Sequence, residues 1–187
     1  MAQSAGIENL FENFRLVCQA LAFQGVGEPQ LRDGNIDERF YYQNLAAVLI
    51  FGPDIRLHFK MHFMLKEAKA LAAQKFELPD KEVTVQLAVD MVKESCNRVA
   101  GRLIRGLNRV QLDVGHSLPF GLTGYNEIYF NQFAEYDHHD CFQLGQKSCS
   151  FLASVWVDSK TTAVEKALTE LNCEQDSEEE TGAFEML

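Results

Sequence analysis

The chain has 187 residues, 47% hydrophobic and 24% charged, which suits one globular domain with a real core. Six acidic residues, Glu174, Asp176, Glu178, Glu179, Glu180 and Glu185, carry much of the net charge of −10, and the body shows no evident basic stripe, which argues against nucleic-acid binding. The longest apolar runs, 45–51 and 151–157, are far shorter than the roughly 20 residues a membrane-spanning helix needs.

The N-terminal stretch lacks the basic start and apolar run of a secretion signal, so a cytoplasmic location is expected. Ile7, Leu10, Phe11, Phe14, Val17, Cys18 and Leu21 recur at three- and four-residue steps and predict an amphipathic first helix, ended by Gly25 and Gly27. Residues 28–35 read as turn, and 40–51 as a buried strand. After the turn Gly52-Pro53-Asp54, Ile55, Leu57, Phe59 and Met61 alternate with Arg56, His58, Lys60 and His62, which predicts a hairpin strand with its histidines on an exposed face. Residues 64–76 predict a second helix, and 83–107 a third and longer one. Strands are expected at 110–122, 127–133 and 148–157, and a last short helix at 161–171.

This order of helix, strands, two helices and strands predicts an α+β fold, a largely antiparallel sheet with helices packed on its face. Residues 1–160 are expected to form the domain, 161–173 to add the short helix, and 174–187 to be an acidic tail too polar to fold alone.

The third helix carries the candidate chemistry. At 100° per residue, Ala88, Val92, Ser95, Val99 and Leu103 share the face expected to meet the sheet. Opposite them Asp90, Glu94, Asn97 and Gly101 fall at steps of four, three and four, in a stripe about 60° wide. An acid and an amide three apart are commonly just a solvated helix face. Asn and Gly, however, weaken a helix interior by about 0.5 and 1 kcal/mol relative to Ala, so their presence needs a reason such as close approach by another protein.

Residues 90–101, DMVKESCNRVAG, resemble the signature of the CheC and CheX chemotaxis phosphatases, in which an Asp or Ser is followed by Glu, Asn and Gly at these spacings. Residues 116–124, HSLPFGLTG, are similar to the Ser-Leu-Pro segment that follows this helix in CheX-like proteins. The turn at Gly52 departs from the family in lacking a second Gly before the next strand.

The resemblance implies a CheC-like fold and a phosphatase acting on the aspartyl phosphate of a CheY-like receiver domain. It implies catalytic roles for Glu94 and Asn97, with Asp90 and Gly101 as supporting residues. It also implies a homodimer and no cofactor of the chain's own, the Mg²⁺ being held by the partner receiver. The rival of the same fold is a non-catalytic scaffold, as in the middle domain of flagellar switch proteins; the pairing of Glu94 with Asn97 speaks against it.

Other features read more blandly. His138-His139-Asp140-Cys141 predicts a polar hairpin turn and not a metal site, since adjacent residues diverge and no second ligand cluster follows. Cys18, Cys96, Cys141, Cys149 and Cys173 are odd in number and scattered, so reduced thiols are expected, with Cys96 turned toward the core. The end of the chain, an acidic run followed by Phe184, Met186 and Leu187, has the form of a docking peptide or of an idle tail.

Overall fold

The computed structural model describes residues 4–123, 136–146, 149–159 and 161–173. The first helix, α1 (Ala5–Leu21), begins where the Ser4 hydroxyl accepts a hydrogen bond from the Ile7 amide, and it buries Ile7, Leu10, Phe14, Val17 and Leu21. Its predicted extent holds because the apolar stripe has the helical period and the capping residue sits just before it. Helices α2 (Leu65–Phe76), α3 (Val85–Arg109) and α4 (Thr162–Leu168) follow at the expected places.

Among the described residues, seven strands form one sheet: β1 (Gln30–Asp33), β2 (Asn44–Phe51), β3 (Ile55–Phe63), β4 (Gly115–His116), β5 (Phe120–Thr123), β6 (His138–Gln146) and β7 (Cys149–Ser159). Their order is β1-β6-β7-β3-β2-β4, with β5 also paired to β2, and every pairing is antiparallel. The fold class is therefore the α+β arrangement expected from the element order.

One face of the sheet is apolar because alternate residues of each strand point there. Ala46, Val48 and Ile50 of β2, Leu57, Phe59 and Met61 of β3, and Ala153, Val155 and Val157 of β7 join the buried faces of α1, α2 and α3 in one core. Phe14 stands edge-on to Phe59 and Phe142 at 4.9 and 5.7 Å between ring centres, which places α1 over the middle of the sheet. Val164, Leu168, Leu171 and Cys173 belong to that same core. The Asn9 amide donates to the carbonyls of Leu168 and Leu171 at 2.8 and 3.0 Å, tying α1 to the segment around α4.

Several strand expectations need correction. Residues 30–33 form β1 and not a turn, paired in register with 142–145 of β6. The predicted strand at 110–122 is broken: α3 runs on to Arg109, Gln111 takes a φ of 64°, and only β4 and β5 are extended. His138–Cys141 open the strand β6, where His139 lies opposite Trp156. Asp140 there is held by Arg15 through two hydrogen bonds of 2.8 and 2.7 Å, so its polarity belongs to a partly buried ion pair and not to a turn. The expected strand at 127–133 and the tail at 174–187 lie outside the described residues.

The histidines of β3 are also placed differently. His62 is only 1% exposed, with its Nε2 3.3 Å from the Ser154 hydroxyl, and His58 is half-buried beneath Tyr136, whose hydroxyl lies 2.5 Å from Nδ1. Polar alternation marks a different face from the main core, and here that face is covered too.

Candidate functional site

Helix α3 owes its position to a capped first turn and one buried side. The Thr84 hydroxyl accepts from the Leu87 amide at 3.1 Å, satisfying an otherwise orphan donor at the first turn. Ala88, Val92, Ser95, Val99 and Leu103 are all buried, as the helical projection predicts, and the Ser95 hydroxyl donates to the Met91 carbonyl at 3.0 Å. Cys96 packs against β2, with its sulfur 3.9 Å from the Ala46 carbonyl. Burial pushes its thiol far above the usual range, which leaves it inert rather than a redox switch. The described cysteines, Cys18, Cys96, Cys141 and Cys173, are all buried free thiols.

The opposite side presents the four candidate residues along about 16 Å of helix axis. Asp90 and Glu94 are exposed, and Asn97 and Gly101 are half-exposed. Asp90 is engaged locally: the Gln86 amide lies 2.8 Å from both carboxylate oxygens and Lys93 is 3.8 Å away. Glu94 and Asn97 differ, since among the described residues neither makes a hydrogen bond or ion pair. Gly101 has no packing reason to be glycine, because an added Cβ would meet only the Arg105 guanidinium, at 3.9 Å.

Cations flank Glu94. Burial, and after it Arg98, holds the Lys75 ammonium at the end of α2 below its usual range, while Glu94 pulls it back up. Lys75 and Arg98 were not among the residues singled out from sequence; Arg98, four residues from Glu94 on a helix, was the available signal.

The Ser-Leu-Pro segment lies beside the first half of this helix. Ser117 is clipped to β2: its amide donates to the Leu49 carbonyl at 2.8 Å and its hydroxyl accepts from the Leu49 amide at 3.1 Å. Leu118 is consequently left 85% exposed, with Phe120 also exposed. Gly121 lets β5 pass close under α3, where a Cβ would come within 3.1 Å of Lys93 Cε and 3.8 Å of Val89 Cγ1. The two motifs that are similar to the CheX pattern thus form one continuous surface. Among the described residues no group of three or more His, Cys, Asp or Glu could hold a metal ion, and no helix is long and apolar enough to cross a membrane.

No family model matches the sequence, and no curated protein matches it. Solved structures do resemble it. A chain of the CheX–CheY–BeF3–Mg²⁺ complex from Borrelia burgdorferi superposes with a TM-score of 0.57 at 12% identity, over 82% of this chain and 97% of that one. A CheC-like superfamily protein from Shewanella sp. PV-4 gives 0.57 at 12% identity, over 84% and 100%. The chemotaxis protein CheX from Vibrio vulnificus gives 0.56 at 13%, over 84% and 99%. At such identities the likeness is one of fold.

Proposed function

On a chain that has the fold of the CheX and CheC-like chemotaxis proteins, we propose that α3 enters the active site of a phosphorylated receiver domain and speeds hydrolysis of its aspartyl phosphate. The observation that carries this reading is the state of Glu94 and Asn97. Both stand on one capped helix packed against the sheet, one turn apart, and among the described residues neither side chain makes a hydrogen bond or ion pair within the chain. A carboxylate and a carboxamide that serve no internal bond are available to another molecule.

The chemistry asked of them is modest. A receiver supplies its own Mg²⁺ and Lys around the phosphoryl group, and what hydrolysis lacks is a water held in line with the leaving oxygen. The Asn97 carboxamide can accept a hydrogen bond from that water and donate one to the phosphoryl oxygens. Glu94 pairs with the receiver's Lys and sets the depth of insertion. Gly101 removes the side chain that would hold the partner away, and Asp90, already bonded to Gln86, has a supporting role. That the Borrelia complex contains CheX together with CheY supports a receiver as the partner class. Pairing of Glu94 with Asn97 favours catalysis over the scaffold role, because a scaffold needs no oriented amide.

The test mixes purified protein with a phosphorylated receiver and Mg²⁺ and follows phosphate release. Asn97→Ala is expected to lose roughly 100-fold in rate with docking preserved. Glu94→Ala and Glu94→Lys are expected to weaken docking as well. Equal losses of binding in both positions would contradict the division of roles, and no acceleration by wild type across several receivers would favour the scaffold.

A further inference from the structure

The packing of α2 on α3 brings two cations together at one flank of the stripe. Lys75 follows the buried Ala68 and Ala72 of α2 at helical steps of four and three, so it continues that packed line at the last turn and is itself half-buried. Arg98, also half-buried, stands four residues beyond Glu94 on α3. On the helix it is turned about 40° from Glu94, on the side away from Asn97.

A Glu followed four residues later by an Arg has the spacing and direction in which a helix closes an ion pair. Here the pair is open. Among the described residues Glu94, Arg98 and Lys75 make no hydrogen bond or ion pair, with one another or with the rest of the chain. Burial first, and then the charge of Arg98, holds the Lys75 ammonium below its usual range, and Glu94 offsets this only in part. Two like charges are therefore held near each other with no counter-ion in contact. The opposite flank differs: Lys93 lays its stem over Gly121 and sets its ammonium 3.8 Å from Asp90, so its charge is answered within the chain.

We propose that Lys75 and Arg98 form a seat for a carboxylate of the docking receiver, beside the point where Glu94 takes the receiver's Lys. An ammonium and a neighbouring carboxylate on the partner then meet their complements in one order, which fixes how the partner is turned on α3. A receiver that carries a cation at that place is repelled, so the seat selects among receivers, while Asn97 on the other side of Glu94 is left to the water. The seat rests on the proposed function only for the class of its partner.

The test titrates the full chain with a receiver carrying BeF3⁻ and Mg²⁺ in place of the phosphoryl group, at about 0.05 M and 0.5 M NaCl, and follows phosphate release separately. Arg98→Glu and Lys75→Glu should each weaken binding roughly 10-fold or more at low salt, and wild type itself should bind more weakly at high salt, where the variants approach it. Lys166→Glu, on exposed α4, is the control for net charge and should change binding less than 2-fold. Reversing one acidic residue at the rim of the receiver's active site to Lys should restore binding to the Glu variants and weaken it for wild type. Losses no larger than that of Lys166→Glu, or binding by no receiver, would overturn the seat. Failure of every reversal to restore binding would overturn it too, leaving the cation pair to a small anion. Arg98→Gln, Lys75→Gln and the salt series on wild type keep the seat open to refutation if the charge reversals fail to fold. Charge-sensitive binding without faster phosphate release would end the phosphatase reading and leave the seat standing; faster release that ignores both substitutions would do the reverse.

Discussion

A Cβ placed on Gly101 makes only an ordinary contact with the Arg105 guanidinium at 3.9 Å, whereas one placed on Gly6 lands 1.9 Å from the Glu165 carbonyl oxygen. The same residue type thus has opposite meanings. Gly101→Ala should raise stability by about 1 kcal/mol, seen as a melting temperature higher by about 2–4 °C, since only the helix-interior cost of glycine is relieved. Gly6→Ala should lower stability by roughly 1–3 kcal/mol in the same melt, because α4 must move away from α1. If Gly101→Ala were destabilising, glycine there would have a reason inside the chain and the docking reading would lose a support. His58 offers a pH test. Burial above all, then Lys60 and Arg56, lowers its pKa from 6.5 to about 4. Between those values the unfolded chain binds a proton that the folded chain refuses, so stability falls as pH drops from 6.5 toward 4. His58→Gln should flatten that slope in denaturant unfolding at pH 7 and pH 5. The stripe on α3 was legible at this scale because helical spacing alone aligns it. The burial of His62 was not, since an alternating pattern says which residues share a face and nothing about what covers it.

Among elements, α3 is the one on which function rests, and its first turn depends on a single hydroxyl. Thr84→Ala should cost about 1 kcal/mol in thermal denaturation, and increased hydrogen exchange should be concentrated in the first turns of α3, ahead of Asp90. Uniformly raised exchange along the helix would mean that the cap acts on the whole fold instead. Helices α1, α2 and α3 were legible to within about two residues, because α1 and α3 join a 3.6-residue apolar period to a Ser4 or Thr84 cap, and α2 is rich in helix formers and closed by the Leu78-Pro79 break. β1 and β6 were not. β1 is four residues long and mostly exposed, and β6 opens with two histidines and an aspartate whose ion pair with Arg15 comes from far along the chain. No local rule reveals a carboxylate neutralised by a residue 125 positions away. Similarly the Ser-Leu-Pro segment was legible as a motif, while its seat against α3 depends on Gly121 passing under Lys93.

For the molecule as a whole, one antiparallel sheet with its helices on one face positions α3 along β2, with β4 and β5 at the same edge. The architecture could be foreseen from the order of elements, since hairpin-linked strands interrupted by two successive helices leave few arrangements. The bonds from Asn9 and Asn13 to Leu168, Leu171 and Cys173 join residues about 160 positions apart. They bear on how this chain is made. A polypeptide leaves the ribosome from its N-terminus, so α1 is synthesised first, yet the side-chain amides of Asn9 and Asn13 find these partners only after residue 173 has emerged. Until then α1 can lie on the sheet but cannot be sealed there, and the nascent protein reaches its full stability only when the segment that closes it has been released.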